Sequence, residues 1–397
     1  MIEKVFVNDE TVDRILKDYD TDTPDFISFD TETTGLNIIT DKAFIVIVGW
    51  DTKVYCFEPS KRTYKVLYEL FKKAKMVFGH NVKFDLHMIR NSGFDYNLDE
   101  INWSDTMILA RLCLYADDEN QSLALKSLAK KYIDVHAGDD EKIVKSEIMQ
   151  INKRNRTLLN NMLKEKGSSL KEFETACKDI EQGFDSLPEE IQNTYFQWER
   201  DFGNATYADV PRDIMLKYAY NDVIITQALA RKFIPVVKAR HQVRTFLREN
   251  ACILPFYEQE RIGFKIDMEY LLNCKEKLYN YIKQQRECFY KMAGKKINIG
   301  QHAELKKLYK EKWGIELPSV ARTELPFHIG QMCEEAKEFT NLLLELRSLE
   351  KWYSTYIIRF VNTITNGRIY TQIQQAGTVS GRISSDFQQF PKERFIR

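Results

Sequence analysis

Apolar and polar positions change their spacing along the chain, and the changes mark out blocks. Phe26–Asp30 (FISFD) and Ala43–Trp50 (AFIVIVGW) are short apolar runs of strand length. Asp51-Thr52 is a turn signal leading into Lys53–Phe57 (KVYCF), so the last two runs are predicted to form a hairpin. Tyr64–Lys75 has helical spacing, Met76–Gly79 reads as a short strand, and Leu123–Tyr132 (LALKSLAKKY) reads as a helix. Alternating strands and helices predict α/β layering over roughly the first 135 residues. From about 137 to 205 the text is polar, rich in Asn, Lys and Glu, and weakly periodic, which predicts a helical surface insertion. A strong helix returns over Pro211–Lys232. Long helical patterns follow at Val236–Glu258, Met268–Met292, Ala303–Lys312 and Lys337–Ile364, separated by loop-like text at 295–300 and 314–325. Gly367–Gln374 (GRIYTQIQ) alternates like a strand.

At 397 residues the chain exceeds one ordinary core and predicts two or three domains. Its composition is 44% hydrophobic and 29% charged, as expected of a globular protein, and nine Pro and sixteen Gly leave little room for long linkers. No apolar run approaches bilayer length, and the N-terminus MIEKVFVNDE lacks an apolar signal core, so a cytoplasmic location and no membrane partner are expected. Seven scattered cysteines without a C-x-x-C pattern fit reduced thiols better than a disulfide frame or a zinc site. Net charge is zero, which excludes a uniformly basic binder of nucleic acid. A basic groove beside an acidic site would still sum to zero.

The candidate chemistry is acidic. In SFDTETTGL, Asp30 and Glu32 are two apart near a strand end and point the same way, and such a pair calls for a compensating cation. In FGHNVKFDLHMI, a short strand runs through His80 and Asn81 into an amphipathic helix with Asp85 in its first turns. Taken alone, Asn81 reads as a helix cap and Asp85 as a favourable charge near a helix N-terminus. In LKYAYNDVIITQAL, Tyr218 and Asp222 share a helix face, while Tyr220 reads as a packing residue. Asp105 is a plausible cap of a further helix.

Together, in this order, D-x-E, N-x-x-x-F-D and Y-x-x-x-D resemble the motifs of the DEDD superfamily of 3′–5′ exonucleases. Position 217, where the histidine form of that superfamily would need His, is Lys217, so the tyrosine form is the one indicated. The resemblance covers roughly residues 1–232 and implies a ribonuclease H-like domain with a mixed central sheet flanked by helices. It implies two divalent cations, Mg²⁺ or Mn²⁺, held by Asp30, Glu32, Asp85 and Asp222. Such ions stand about 3.5–4 Å apart and stabilise both ends of an in-line displacement. By the same resemblance Tyr218 positions the attacking water, Leu36 wedges against the terminal base, and Asn81 and Phe84 contact the 3′ nucleotide.

In the second half, ENACILPFYEQERIGFKID carries E-x-x-G followed by D at Glu260, Gly263 and Asp267, which resembles the segment that opens the helical thumb of family A DNA polymerases, of the phage type. RSLEKWYSTYI matches R-x-x-x-K-x-x-x-T-Y, which implies that Arg347 and Lys351 contact phosphates of a primer-template duplex. GTVSGRISSDFQQFP resembles the start of the palm, with Thr378, Arg382 and Gln388 as DNA neighbours. The expected domains are an exonuclease over 1–235 with its insertion at 137–205, a thumb over 236–366, and the start of a palm over 367–397. No D-Y-S-x-x-E or H-D-E segment occurs, so nucleotide addition is expected only if a separate chain supplies palm and fingers. The expected activity is therefore proofreading hydrolysis of single-stranded DNA 3′ ends. The alternatives are a non-catalytic DNA-binding subunit of a split polymerase and a standalone nuclease that trims RNA or DNA.

Overall fold

The computed structural model describes residues 2–114, 122–178, 184–375, 377–378 and 380–385. Two compact units divide them, the first drawn from 1–261 and 373–384 and the second from 262–372 with Ser385. The expected boundary after residue 235 falls inside a continuous helix, and residues 236–261 group with the first unit.

The first unit is a six-stranded sheet wrapped by helices. In chain order it runs β1 (Glu3–Phe6), α1 (Arg14–Asp22), β2 (Ile27–Thr33), β3 (Ala43–Trp50), β4 (Lys53–Phe57), α2 (Lys61–Lys73), β5 (Val77–Gly79), α3 (Val82–Asn91), β6 (Trp103–Asp105), α4 (Thr106–Cys113) and α5 (Leu125–Tyr132). Next come α6 (Asp139–Glu165), α7 (Leu170–Lys178), α8 (Glu189–Asp201), α9 (Arg212–Ala239), α10 (Val243–Ala251) and α11 (Ile253–Ile262). The sheet order is β1-β4-β3-β2-β5-β6. The β2-β3 and β3-β4 pairs are antiparallel and the others parallel. The predicted hairpin is present, with Asp51 at φ 47° in its turn.

Strand alternation gives the sheet two different faces. Phe29 points to one, where it meets Phe71 of α2 and Trp103. Ile45, Ile47, Val54 and Cys56 point to the other and pack on Met215, Ala219 and Val223 of α9. Gly49 lies under α9. A Cβ there would come within 2.9 Å of Val223 Cγ1 and 3.0 Å of Gln227 Nε2. Only glycine lets the helix lie this close to the strands, and the closeness brings Asp222 down to the sheet.

Three expectations need correction. The insertion is not wholly a surface feature. Its distal helices form a small core of their own around Leu159, Leu163, Phe173, Ile191 and Trp198, but Val144 of α6 is buried in the main core against the sheet and α9. The helix predicted over Val236–Glu258 is broken at His241, whose φ of 56° no α-helix accommodates, so α9, α10 and α11 are separate. The strand predicted over Gly367–Gln374 is reduced to a two-residue pairing. Farther along, the Ile373 amide donates to the Glu260 carboxylate (2.5 Å) and Gln374 bridges to Ser384.

The second unit is mostly helical: β7 (Phe264–Lys265), α12 (Met268–Ala293), α13 (His302–Trp313), α14 (Leu325–His328), α15 (Glu334–Trp352), a wider π-helical turn at Tyr353–Ile358, α16 (Arg359–Thr363) and β8 (Arg368–Ile369). α12 and α15 run antiparallel, since Phe289 stacks on Phe339 at one end and Tyr279 meets Tyr353 at the other. Asp267 caps α12 by accepting from the Tyr270 amide (2.9 Å). Gly263 (φ 61°) has no room for a side chain beside Tyr370, so with the buried, bonded Glu260 all three residues of the E-x-x-G and D motif have structural work. Among the described residues no helix is long and apolar enough to cross a membrane.

Candidate active site

β2 delivers Asp30 and Glu32 to the face covered by α9, and α9 delivers Asp222 to the same point. One carboxylate oxygen from each lies within 4.8 Å of the others. Asp85 stands outside that trio, with its Oδ1 accepting a 2.6 Å hydrogen bond from the Thr31 hydroxyl, yet close enough to feel the charge of Asp30. Ionised pairs at such spacing cost about 3 kcal/mol each at an effective dielectric near 20. Burial, countered by Lys126, pushes the Asp30 carboxyl up to about 7. Burial and the charge of Asp30 hold Glu32 and Asp85 well above the usual carboxylate range. Glu32 Oε1 is buried with no hydrogen-bond partner among the described residues. Crowded, dehydrated carboxylates with an unspent oxygen are a donor set suited to a hard divalent cation.

A further carboxylate fixes the approach of α3. Asn81 does not cap that helix with its side chain, as its sequence position suggests; it sits at φ 63° and makes no such bond. Asp105 does the capping. Its carboxylate accepts from the amides of Asn81 (3.0 Å) and Val82 (2.9 Å), and from Met107 (2.7 Å) in its own helix. One residue thus satisfies donors at the starts of α3 and α4, which fixes Asp85 relative to the sheet.

Tyr218 lies one turn before Asp222 on α9. Burial first, then the charge of Glu32, raises its phenol far above neutral, so it stays protonated. Lys126 of α5 was not distinguished by the sequence, where it occupies an ordinary polar position of an amphipathic helix. Its ammonium pairs with Asp222 and stands 4.5 Å from the centroid of the Tyr218 ring. Leu36 is 79% exposed, an unusual position for a leucine, while Asn81 and Phe84 are half-buried at the start of α3.

The remaining expected contacts fare differently. Arg347 is not free to reach phosphate. Its Nε and Nη2 donate to the Ile299 carbonyl (3.0 and 2.7 Å) and its Nη1 to the Val320 carbonyl (2.5 Å), so it ties two loops to α15. Lys351, one turn on, is exposed. Thr378 closes a turn by accepting from the Arg382 amide (2.8 Å), which leaves the Arg382 side chain exposed. Gln388 lies outside the described residues.

Comparison with known proteins follows the same division. Residues 3–164 match a 3′–5′ exonuclease family, and residues 268–395 match DNA polymerase family A. The two matches together make the chain similar to family A polymerases that carry an exonuclease region. The exonuclease match contains Asp30, Glu32 and Asp85; Tyr218 and Asp222 lie beyond it. Relatives named DNA polymerase span both matched regions. DNA polymerase I of Borreliella burgdorferi is 23% identical over 91% of this chain and 34% of its own length. DNA polymerase DpoZ of Salmonella phage PMBT28 is 22% identical over 90% of this chain and 53% of its own. The chain thus spans less than two thirds of these relatives. A solved structure of the POL domain of Pol1 from M. smegmatis, in complex with DNA primer-template and dNTP, superposes with a TM-score of 0.64 at 14% identity, covering 99% of this chain and 57% of that one. The fold is accordingly a mixed six-stranded α/β region, part of which matches the exonuclease family, followed by a mostly helical unit.

Proposed function

We propose that the first unit is a metal-dependent 3′–5′ exonuclease that removes nucleotides from DNA 3′ ends, the proofreading part of a family A polymerase acting in replication. The observation that carries the reading is the convergence of Asp30, Glu32 and Asp222 around an unspent, buried oxygen of Glu32. These three would hold one divalent cation, and Asp30 with Asp85 a second, Mg²⁺ or Mn²⁺ by the chemistry of an all-oxygen donor set. Bound there, such ions supply charge stabilisation for the attacking water and for the leaving 3′ oxygen.

The chain's own residues do the rest. Tyr218, protonated throughout the working pH range, orients the water through its hydroxyl and does not take its proton. The Thr31 hydroxyl fixes the Asp85 carboxylate, and Asp105 fixes the helix that carries it. The exposed Leu36 side chain is available to wedge against a terminal base, with Asn81 and Phe84 beside the 3′ nucleotide. In the second unit Lys351 is the thumb contact for duplex phosphate, and Arg382 of the 373–384 segment faces a primer end. Incubating the protein with 5′-labelled single-stranded DNA and RNA tests the reading. Mg²⁺-dependent shortening of DNA from the 3′ end, stopped by EDTA, is expected, and an equal or greater rate on RNA would assign the protein to RNA trimming instead.

A further inference from the structure

The ammonium of Lys126 sits against one of the three clustered carboxylates. It reaches in from α5, pairs with Asp222 Oδ1, and stands over the Tyr218 ring. Both partners are well shielded, with side chains 12% and 7% exposed. A lone pair that accepts from an ammonium is not available to a metal ion in the same geometry. The base of α5 is anchored: His80 bonds the Leu123 carbonyl (2.8 Å) and the Thr106 hydroxyl (2.9 Å). Any change of partner therefore falls on the flexible four-carbon stem of Lys126 and not on its helix. Asp140 and Glu141, in the first turn of α6, also attract this ammonium.

We propose that Lys126 is a resident counter-ion of the carboxylate site, holding Asp222 while the site lacks metal and yielding it when a divalent cation enters. The exchange also uncovers Tyr218, so metal entry and access to the water-positioning hydroxyl are one event. The start of the polar insertion, through Asp140 and Glu141, then tunes the metal site by competing for the same lysine. This rests on the carboxylates being a metal site, and the test separates the two claims.

Mn²⁺ alone, without DNA, is titrated calorimetrically into wild type, Lys126→Met, Asp222→Asn and Lys217→Met, with metal-free melting temperatures measured in parallel. Lys217 pairs with Asp140 (3.1 Å) and controls for the loss of a nearby positive charge. If the Lys126 pair is closed about nine-tenths of the time, Lys126→Met binds Mn²⁺ about ten-fold tighter. Lys217→Met changes affinity less than about two-fold by the same reasoning, because it frees no ligand oxygen. Lys126→Met also melts lower than wild type without metal, and the gap closes at saturating Mn²⁺. Unchanged or weaker Mn²⁺ binding by a folded Lys126→Met, or equal tightening by Lys217→Met, overturns the counter-ion role and leaves the metal site standing. Absence of any Mn²⁺ binding that Asp222→Asn weakens overturns both.

Discussion

The two units use their polar side chains in opposite ways. In the first, Asp30 and Glu32 are drawn together beside Asp222 at the cost of the pair's own ionisation, and an oxygen of Glu32 is left unspent. In the second, the arginine that the sequence singles out is already engaged, with its guanidinium donating to the carbonyls of Ile299 and Val320. A matched motif residue can thus be part of a reactive constellation or part of the scaffold, and the difference lies in whether its hydrogen bonds already serve the fold. Unsatisfied buried groups are costly and persist where something else completes them.

The strongest way to break this contrast is to empty the unspent site. Asp30→Ala with Glu32→Ala should lower the rate of 3′-end hydrolysis on the order of a thousand-fold or more, since a metal contributes several kcal/mol and each 1.4 is about ten-fold. Its melting temperature without metal should not fall, because repulsion is relieved. The next effect is structural. Glu260 is buried between Lys83, His87 (2.8 Å) and the Ile373 amide. Burial pushes its carboxyl up, but the His87 and Lys83 contacts outweigh that and hold it below 4.5. A depressed carboxyl gives stability that is present above the unfolded value and lost as pH falls through the folded one. Glu260→Gln should therefore cost about 3 kcal/mol at neutral pH. The gap from wild type in thermal melts should shrink as pH drops below 4.5.

Arg347→Ala should destabilise the second unit by about 2 kcal/mol in denaturant titrations, because two carbonyls lose charged donors. It should leave hydrolysis of short single strands unchanged. Tyr218→Phe removes only the hydroxyl, so about a ten-fold loss in kcat with little change in KM is expected from steady-state rates on an oligonucleotide. Lys351→Ala sharpens the contrast with its neighbour most gently. Folding stability should move by less than about 0.5 kcal/mol. Duplex affinity should fall a few-fold with a salt slope shallower by about one, as measured by fluorescence anisotropy.

What the sequence disclosed follows a physical rule. Asp30 and Glu32 were legible as a convergent pair because strand alternation alone puts them on one side, and the hairpin beside them because Asp51-Thr52 terminates two apolar runs. Tyr218 and Asp222 were legible through helical spacing together with motif order. Relations set by tertiary contact were hidden. Lys126 looks like any solvent-facing lysine of a short amphipathic helix, since nothing local signals that α5 leans over α9. Asp105 was visible as the cap of its own helix but not as the cap of α3, whose start lies more than twenty residues earlier in the chain. The break at His241 was missed because the apolar pattern continues across a left-handed residue that periodicity does not register. Arg347 was misplaced for the converse reason: its helix face is right, but the loops that claim its donors come from elsewhere in the chain.

The central claim is that Asp30, Glu32 and Asp222 form a divalent-cation site. Anomalous diffraction at the manganese edge, from crystals soaked in Mn²⁺ with a single-stranded DNA 3′ end, tests it most directly. The account predicts one peak coordinated by Asp30, Glu32 and Asp222, and a second between Asp30 and Asp85. Manganese bound elsewhere, with none coordinated by those three carboxylates, would contradict it.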